Sequence, residues 1–163
     1  MTKSVLITVG STKFDNLIAQ LAGISKALSK QGYDRLVVQH GKSPLPKELP
    51  GNVKEAFNYV DNLSEYINQS DLVISHGGTG TIIETLRSQK KLIAINNDSL
   101  SEDHQRELIR KLAELGYCID SNVETLIDTI NSNSIDEFTP VRFPEFNAER
   151  VRRFIHREAG IPL

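Results

Sequence analysis

The 163-residue chain has a single cysteine, Cys118. No disulfide can close within it, and the cysteine spacing of structural zinc sites is missing. The chain therefore fits a reducing compartment. No stretch approaches the roughly 18 consecutive apolar residues that a bilayer span needs. The first apolar run, Val5–Val9 (VLITV), is too short for the apolar centre of a secretory signal and reads as a first strand. Neither sign of charge dominates: 19 Lys and Arg stand against 21 Asp and Glu, a formal charge of −2. That argues against a nucleic-acid protein held by bulk electrostatics, while leaving room for a local basic patch.

Several site signatures are missing too. There is no GxGxxG. The GKS at 41–43 is no phosphate loop, because Leu36 stands where that motif requires glycine. No Asp-x-Asp occurs. His40, His76, His104 and His156 have no flanking serine signature, so no nucleophile–base–orienter triad is legible.

What is present is a regular alternation. Val5–Val9, 35–39, Val53–Phe57, 71–75 and 91–95 are short continuous apolar runs. Between them lie segments with apolar residues at three- and four-residue spacing. One helix is predicted from Phe14 to Leu28, ending at Gly32, and another follows Asp61 with Leu63, Tyr66 and Ile67. Further helices are predicted over about 79–88, 102–115 and from Val123 to Ile130, with a short edge strand at 117–119. Continuous apolar strands alternating with helices indicate an α/β fold on a mostly parallel sheet covered on both faces. A chain this long can bury roughly 68–70% of its unfolded surface as one domain. The domain is predicted to span 1–130. A polar, turn-rich linker and a basic C-terminal helix (about 148–158) make up 131–163, the helix packing on the domain or on a partner. The proline-rich segment 41–51 reads as a loop.

In open parallel sheets, ligands gather beyond the carboxyl ends of the strands, and three segments meet that condition. In TVGSTKFDN (8–16), Gly10 permits a tight turn, and Ser11 and Thr12 offer donors; an ordinary strand–helix turn is the alternative. In SHGGTGTIIETL (75–86), Gly77 and Gly78 follow a strand and Gly80 lies in the first helical turn, where glycine weakens a helix. Close approach of an anion or sugar to the backbone is one reason for it. Thr79 and Thr81 can cap or donate, and Glu84 can accept from a sugar diol; a plain strand–turn–helix junction with an exposed glutamate is the other reading. His76 either touches a ligand or caps the strand end against solvent. In NNDSLSEDHQRE (96–107), Asp98, Ser99, Asp103, His104 and Gln105 can form a hydrogen-bonding wall, or Ser101 simply caps a helix with His104 in its first turn. His104 lacks a second ligand at helical spacing, so no metal site is expected. Together the loops outline one cleft for an anionic, sugar-like ligand.

Three stretches carry a resemblance: VLITVGSTKFDNLI, the long run DLVISHGGTGTIIETLRSQKKLIAINNDSLSEDHQRELIRKLAELGYC, and FPEFNAERVRRFIHREA. They resemble the Alg13 family, soluble donor-binding subunits of two-part UDP-N-acetylglucosamine transferases within glycosyltransferase family 28. The resemblance covers nearly the whole chain. It implies a single Rossmann-like domain like the C-terminal half of GT-B glycosyltransferases. It implies an inverting transferase active only as a heteromeric complex. The partner would be a membrane-anchored Alg14-like subunit and the acceptor the lipid-linked GlcNAc-diphosphodolichol, in N-glycan precursor synthesis. The implied place is the cytoplasm and the cytosolic face of the endoplasmic reticulum. By position, Gly10–Thr12 and Gly77–Gly80 would cradle the UDP of the donor UDP-N-acetylglucosamine, with His76 beside them. Glu84 would hold the ribose. Asp103, His104 and Gln105 match the stretch that faces the donor sugar, and Asn97, Asp98 and Ser99 match the family's NDS among the donor-binding residues; Asp103 and His104 are the candidate catalytic groups unless the partner supplies the base. No cofactor or metal is expected. A bacterial exopolysaccharide transferase subunit and a non-catalytic nucleotide-sugar-binding protein are the alternatives.

Overall fold

The computed structural model describes residues 2–76, 78–96, 103–144 and 148–160. Its strands are β1 (Lys3–Thr8), β2 (Tyr33–Gln39), β3 (Val53–Phe57), β4 (Leu72–His76), β5 (Lys91–Ile95) and β6 (Ile119–Ser121). Its helices are α1 (Asp15–Ile18), α2 (Leu21–Lys30), α3 (Ser64–Asn68), α4 (Thr79–Arg87), α5 (Asp103–Glu114), α6 (Leu126–Asn131), α7 (Ser134–Glu137) and α8 (Ala148–Ala159). The strands form one six-stranded sheet in the order β3-β2-β1-β4-β5-β6, with every pairing parallel.

The apolar runs are continuous because both faces of the sheet are covered. Successive side chains on a strand point to opposite faces. Val5, Ile7 and Val9 pack with Leu17, Ile18, Leu21, Ile24 and Leu28 of α1 and α2, and with Leu126 and Ile130 of α6. Leu6, Val73 and Leu92 pack on the other face with Ile67, Ile82 and Leu86 of α3 and α4, and with Leu108, Ile109 and Leu112 of α5. In α8, Ile155 and Ala159 join this second cluster.

The predicted boundaries shift for local reasons. The single helix expected from Phe14 to Leu28 is split at Ala19–Gln20. Gln20 leaves the α region (φ −96°, ψ 10°), and its amide bonds back three residues to Leu17 O at 3.1 Å. Helix α3 starts at Ser64 rather than just after Asp61, because Asn62 Oδ1 accepts the Ser64 amide at 2.8 Å in a local turn. Asn122 Oδ1 does the same to the Thr125 amide at 2.9 Å, so α6 begins at Leu126. The edge strand lies at 119–121, not 117–119. Residues 116–117 are used to close α5: Gly116, at φ +84°, donates to Ala113 O and Tyr117 donates to Leu112 O, the paired bonds of a left-handed helix cap.

The segment 131–144 is more than polar linker. Ile135 and Phe143 are buried. Gln89 grips the Phe143 backbone on both sides, donating to its carbonyl at 3.1 Å and accepting from its amide at 3.3 Å. The Phe143 ring also meets Tyr117 edge-on at 5.2 Å. Phe143→Ala is expected to destabilise the protein by about 3–5 kcal/mol, read as a lower urea midpoint. An unchanged midpoint would show that this segment is not part of the cooperative fold.

Candidate functional site

The sheet order changes direction at β1 and β4. From β1 the chain builds outward through β2 to β3, then returns to lay β4 on the other side of β1. The turns that leave β1 and β4 diverge to opposite faces and leave a crevice at the strand ends.

The turn after β1 is held from below. Gly10 adopts φ +63°, a conformation that favours glycine. Its amide donates to Thr8 Oγ1 at 3.0 Å, and the Thr8 hydroxyl donates to Gln39 Oε1. Thr12 turns inward as well, its amide (3.3 Å) and hydroxyl (2.7 Å) both donating to Val9 O. In this structure the two donors expected to face a ligand are thus directed at the turn itself. Gly10 and Thr12 shape the turn, and exposed Ser11 is the residue left to donate.

The start of the 41–51 loop braces this turn, a role the sequence reading did not assign. Gly41 sits at φ +57°, and a Cβ there would lie 2.2 Å from Thr12 O, so no side chain fits. The Lys42 amide donates to Thr12 O at 3.0 Å, and Ser43 Oγ accepts the Phe14 amide at 2.6 Å. Buried His40 donates from Nδ1 to Ser43 O at 2.8 Å. The available signal is a glycine two residues after β2, matching Gly10 two residues after β1.

The turn after β4 has a different construction. His76 is buried, with 6% of its surface exposed, so it does not cap the strand end against solvent. Among the described residues its Nδ1 has no hydrogen-bond partner, and burial lowers its pKa, which favours the neutral ring. The ring lies between the two turns. A Cβ on Gly78 would come 2.7 Å from His76 Cε1, and one on Gly10 would come 3.2 Å from it. These two glycines thus make room for an imidazole of the protein itself. Gly80 differs: among the described residues, a Cβ there would meet nothing within 4 Å.

Gly78 caps α4 with extended backbone (φ −67°, ψ 120°) and no side-chain cap. The first intrahelical bond runs from the Ile82 amide to Gly78 O at 3.1 Å. The amides of Thr79, Gly80 and Thr81 consequently have no intrahelical partner, and they carry the positive end of the helix dipole. Further along α4, half-buried Glu84 accepts the Ser64 hydroxyl on Oε1.

The third segment enters from β5, the neighbour of β4. Asp103, His104 and Gln105 open α5, with His104 exposed and Gln105 half-buried. Gly77, Asn97, Asp98, Ser99 and the predicted Ser101 cap lie outside the described residues. Among the described residues, no group of three or more His, Cys, Asp or Glu side chains is placed to hold a metal. The arrangement can hold an anion against backbone amides, with a carboxylate farther along the same helix.

Fold and cleft together define the class: one half of a GT-B glycosyltransferase fold. MurG of Acinetobacter baumannii shares that fold with a TM-score of 0.64 at 17% identity, over 99% of this chain and 44% of that one. A solution structure of ALG13 matches with a TM-score of 0.69 at 26% identity, over 94% of this chain and 95% of that one. The glycosyltransferase family 28 C-terminal domain matches residues 4–151, and the chain belongs to that family. A human protein named UDP-N-acetylglucosamine transferase subunit ALG13 is 38% identical over 120 residues, covering 71% of this chain. A Debaryomyces hansenii protein of the same name is 36% identical over 107 residues, covering 63% of this chain. The chain spans 11% of the length of the human relative and 50% of that of the D. hansenii relative.

The role of His76 as a wedge can be tested by a double-mutant cycle. Gly78→Ala should destabilise by about 1–3 kcal/mol through overpacking. Combining it with His76→Ala should recover part of that loss, a coupling of about 0.5–3 kcal/mol in urea unfolding. Strict additivity would show that the two residues do not press on each other.

Proposed function

We propose that the chain binds UDP-N-acetylglucosamine as the donor-holding subunit of a two-part transferase. The observation that carries this is the amino end of α4. It presents three backbone amides without intrahelical partners at the switch point of a family 28 domain. Oriented amides at a helix start suit a diphosphate. The names of the human and D. hansenii relatives support both the donor and the status of subunit.

In this reading the diphosphate lies against Thr79, Gly80, Thr81 and Ser11. Glu84 accepts from the ribose diol, and Asn97, Asp98, Ser99 and Gln105 face the sugar. The acceptor is GlcNAc-diphosphodolichol. Its O4 attacks the anomeric carbon of the donor; that bond forms as the bond to UDP breaks, and the configuration inverts. The O4 proton passes to a general base, which is His104, Asp103 or a group of the partner. Negative charge grows on the leaving diphosphate, where the α4 amides stabilise it without rearrangement. No metal is needed for that step.

The partner is a membrane-anchored Alg14-like subunit, which brings the chain to the cytosolic face of the endoplasmic reticulum. Among the described residues no helix is long and apolar enough to cross a membrane. The test is reconstitution of the pair with radiolabelled donor. Glu84→Ala should lower kcat/KM by about tenfold or more, the loss of hydrogen bonds to a charged group. A full-rate variant would remove Glu84 from the site, turnover by the chain alone would overturn the half-enzyme reading, and inactivity of every pair would favour a nucleotide-sugar sensor.

A further inference from the structure

We infer that Ser64 is a positioning residue that sets the preference of the site for ribose, acting through Glu84; this rests on the reading that Glu84 accepts the ribose diol.

Ser64 is the first residue of α3, following the N-cap Leu63. The Ile67 amide is taken by Leu63 O at 2.9 Å, so it makes no demand on the Ser64 hydroxyl. The Ser64 amide is fixed by Asn62 Oδ1 at 2.8 Å, which leaves its hydroxyl to reach a residue 20 positions away, Glu84 on α4. The hydroxyl donates to Oε1 and so restrains the plane of the carboxylate. Among the described residues none bonds Oε2, which can accept from a ligand.

The element that carries Ser64 is anchored independently of this bond. Leu63 and Ile67 are buried in the same cluster as Ile82 and Leu86 of α4. Tyr66 stacks on Phe57 with ring centroids 5.0 Å apart and donates to Glu55 at 2.7 Å. Helices α3 and α4 therefore share one packed face, and the hydroxyl–carboxylate contact bridges them at its edge. A glutamate side chain has three rotatable bonds. Holding one oxygen from a second helix reduces the conformers it samples before a ligand arrives, which favours binding.

The test compares UDP with 2′-deoxy-UDP by calorimetry on the full chain, in the wild type and in Ser64→Ala, Ser64→Thr and Glu84→Ala. The wild type should prefer UDP, and Glu84→Ala should lose that preference. Ser64→Ala should reduce the preference about two- to tenfold with little change for the deoxy nucleotide, and Ser64→Thr, which keeps the hydroxyl, should restore it. An undiminished preference in Ser64→Ala, or equal weakening towards both nucleotides, would overturn the inference while leaving Glu84 in place. An undiminished preference in Glu84→Ala, or no UDP binding by the wild type, would overturn the ribose reading and the inference with it.

Discussion

The parallel pairing of β1 with β4 is the contact on which the site depends. Val5 to Thr8 lie beside Leu72 to Ser75 in register, so the chain leaves both strands at the same level. It then goes to opposite faces: α1 and α2 join the cluster around Ile7, while α4 joins the one around Leu6. Two turns that start side by side and diverge must leave a crevice, and the His76 ring occupies its floor against Gly10 and Gly78. Slipping the register by one residue would exchange the faces of the β4 side chains. It would bring Ser75 to the side where His76 now meets the glycines.

Just beneath the crevice runs a buried polar row that an apolar core would not need. Gln39, Thr8 and Ser75 sit side by side on β2, β1 and β4, all fully buried. Thr8 joins the Gly10 amide to Gln39, and Ser75 donates to His76 O at 2.8 Å. His76 O also receives the Gly78 amide at 2.7 Å. The row thus ties the first residue of each turn to the strand below it. It is not fully satisfied: among the described residues Gln39 Nε2 has no partner, and a buried unpaired donor costs about 1–3 kcal/mol. Rigid turns are the compensation, since a backbone fixed in advance loses less entropy when a ligand binds.

The sheet and its helices were legible in the sequence because apolar runs and three- and four-residue spacing record burial directly. Boundaries were less legible, since they depend on side chains that bond locally. Asn62 and Asn122 each hold a later amide and delay a helix, and the cap at Gly116 displaces β6 by two residues. The cleft was legible in outline, because its glycines and polar residues follow strands. Its inner workings were not. That the Thr12 donors turn inward depends on Val9 O, and that Gly41 braces the same turn depends on a contact 29 residues away in the chain, between Gly41 and Thr12. Ser64 carried no sequence signal, because its bond to Glu84 joins two helices across 20 residues of chain.

The glycines of SHGGTG, read together in the sequence, separate once their surroundings are known. Gly78 is accounted for within the protein, by the His76 ring that any larger residue would strike. Gly80 has no such reason. It lies in the first turn of α4, where glycine is less favourable than alanine by roughly 1 kcal/mol, and no described residue comes within 4 Å of where a side chain would stand. Folding alone favours alanine at that position. What glycine adds there is access to the helix amides from outside, and a bound anion gains from that access through the helix dipole and short hydrogen bonds. The compensation for Gly80 therefore falls on ligand binding, and the compensation for Gly78 on the fold.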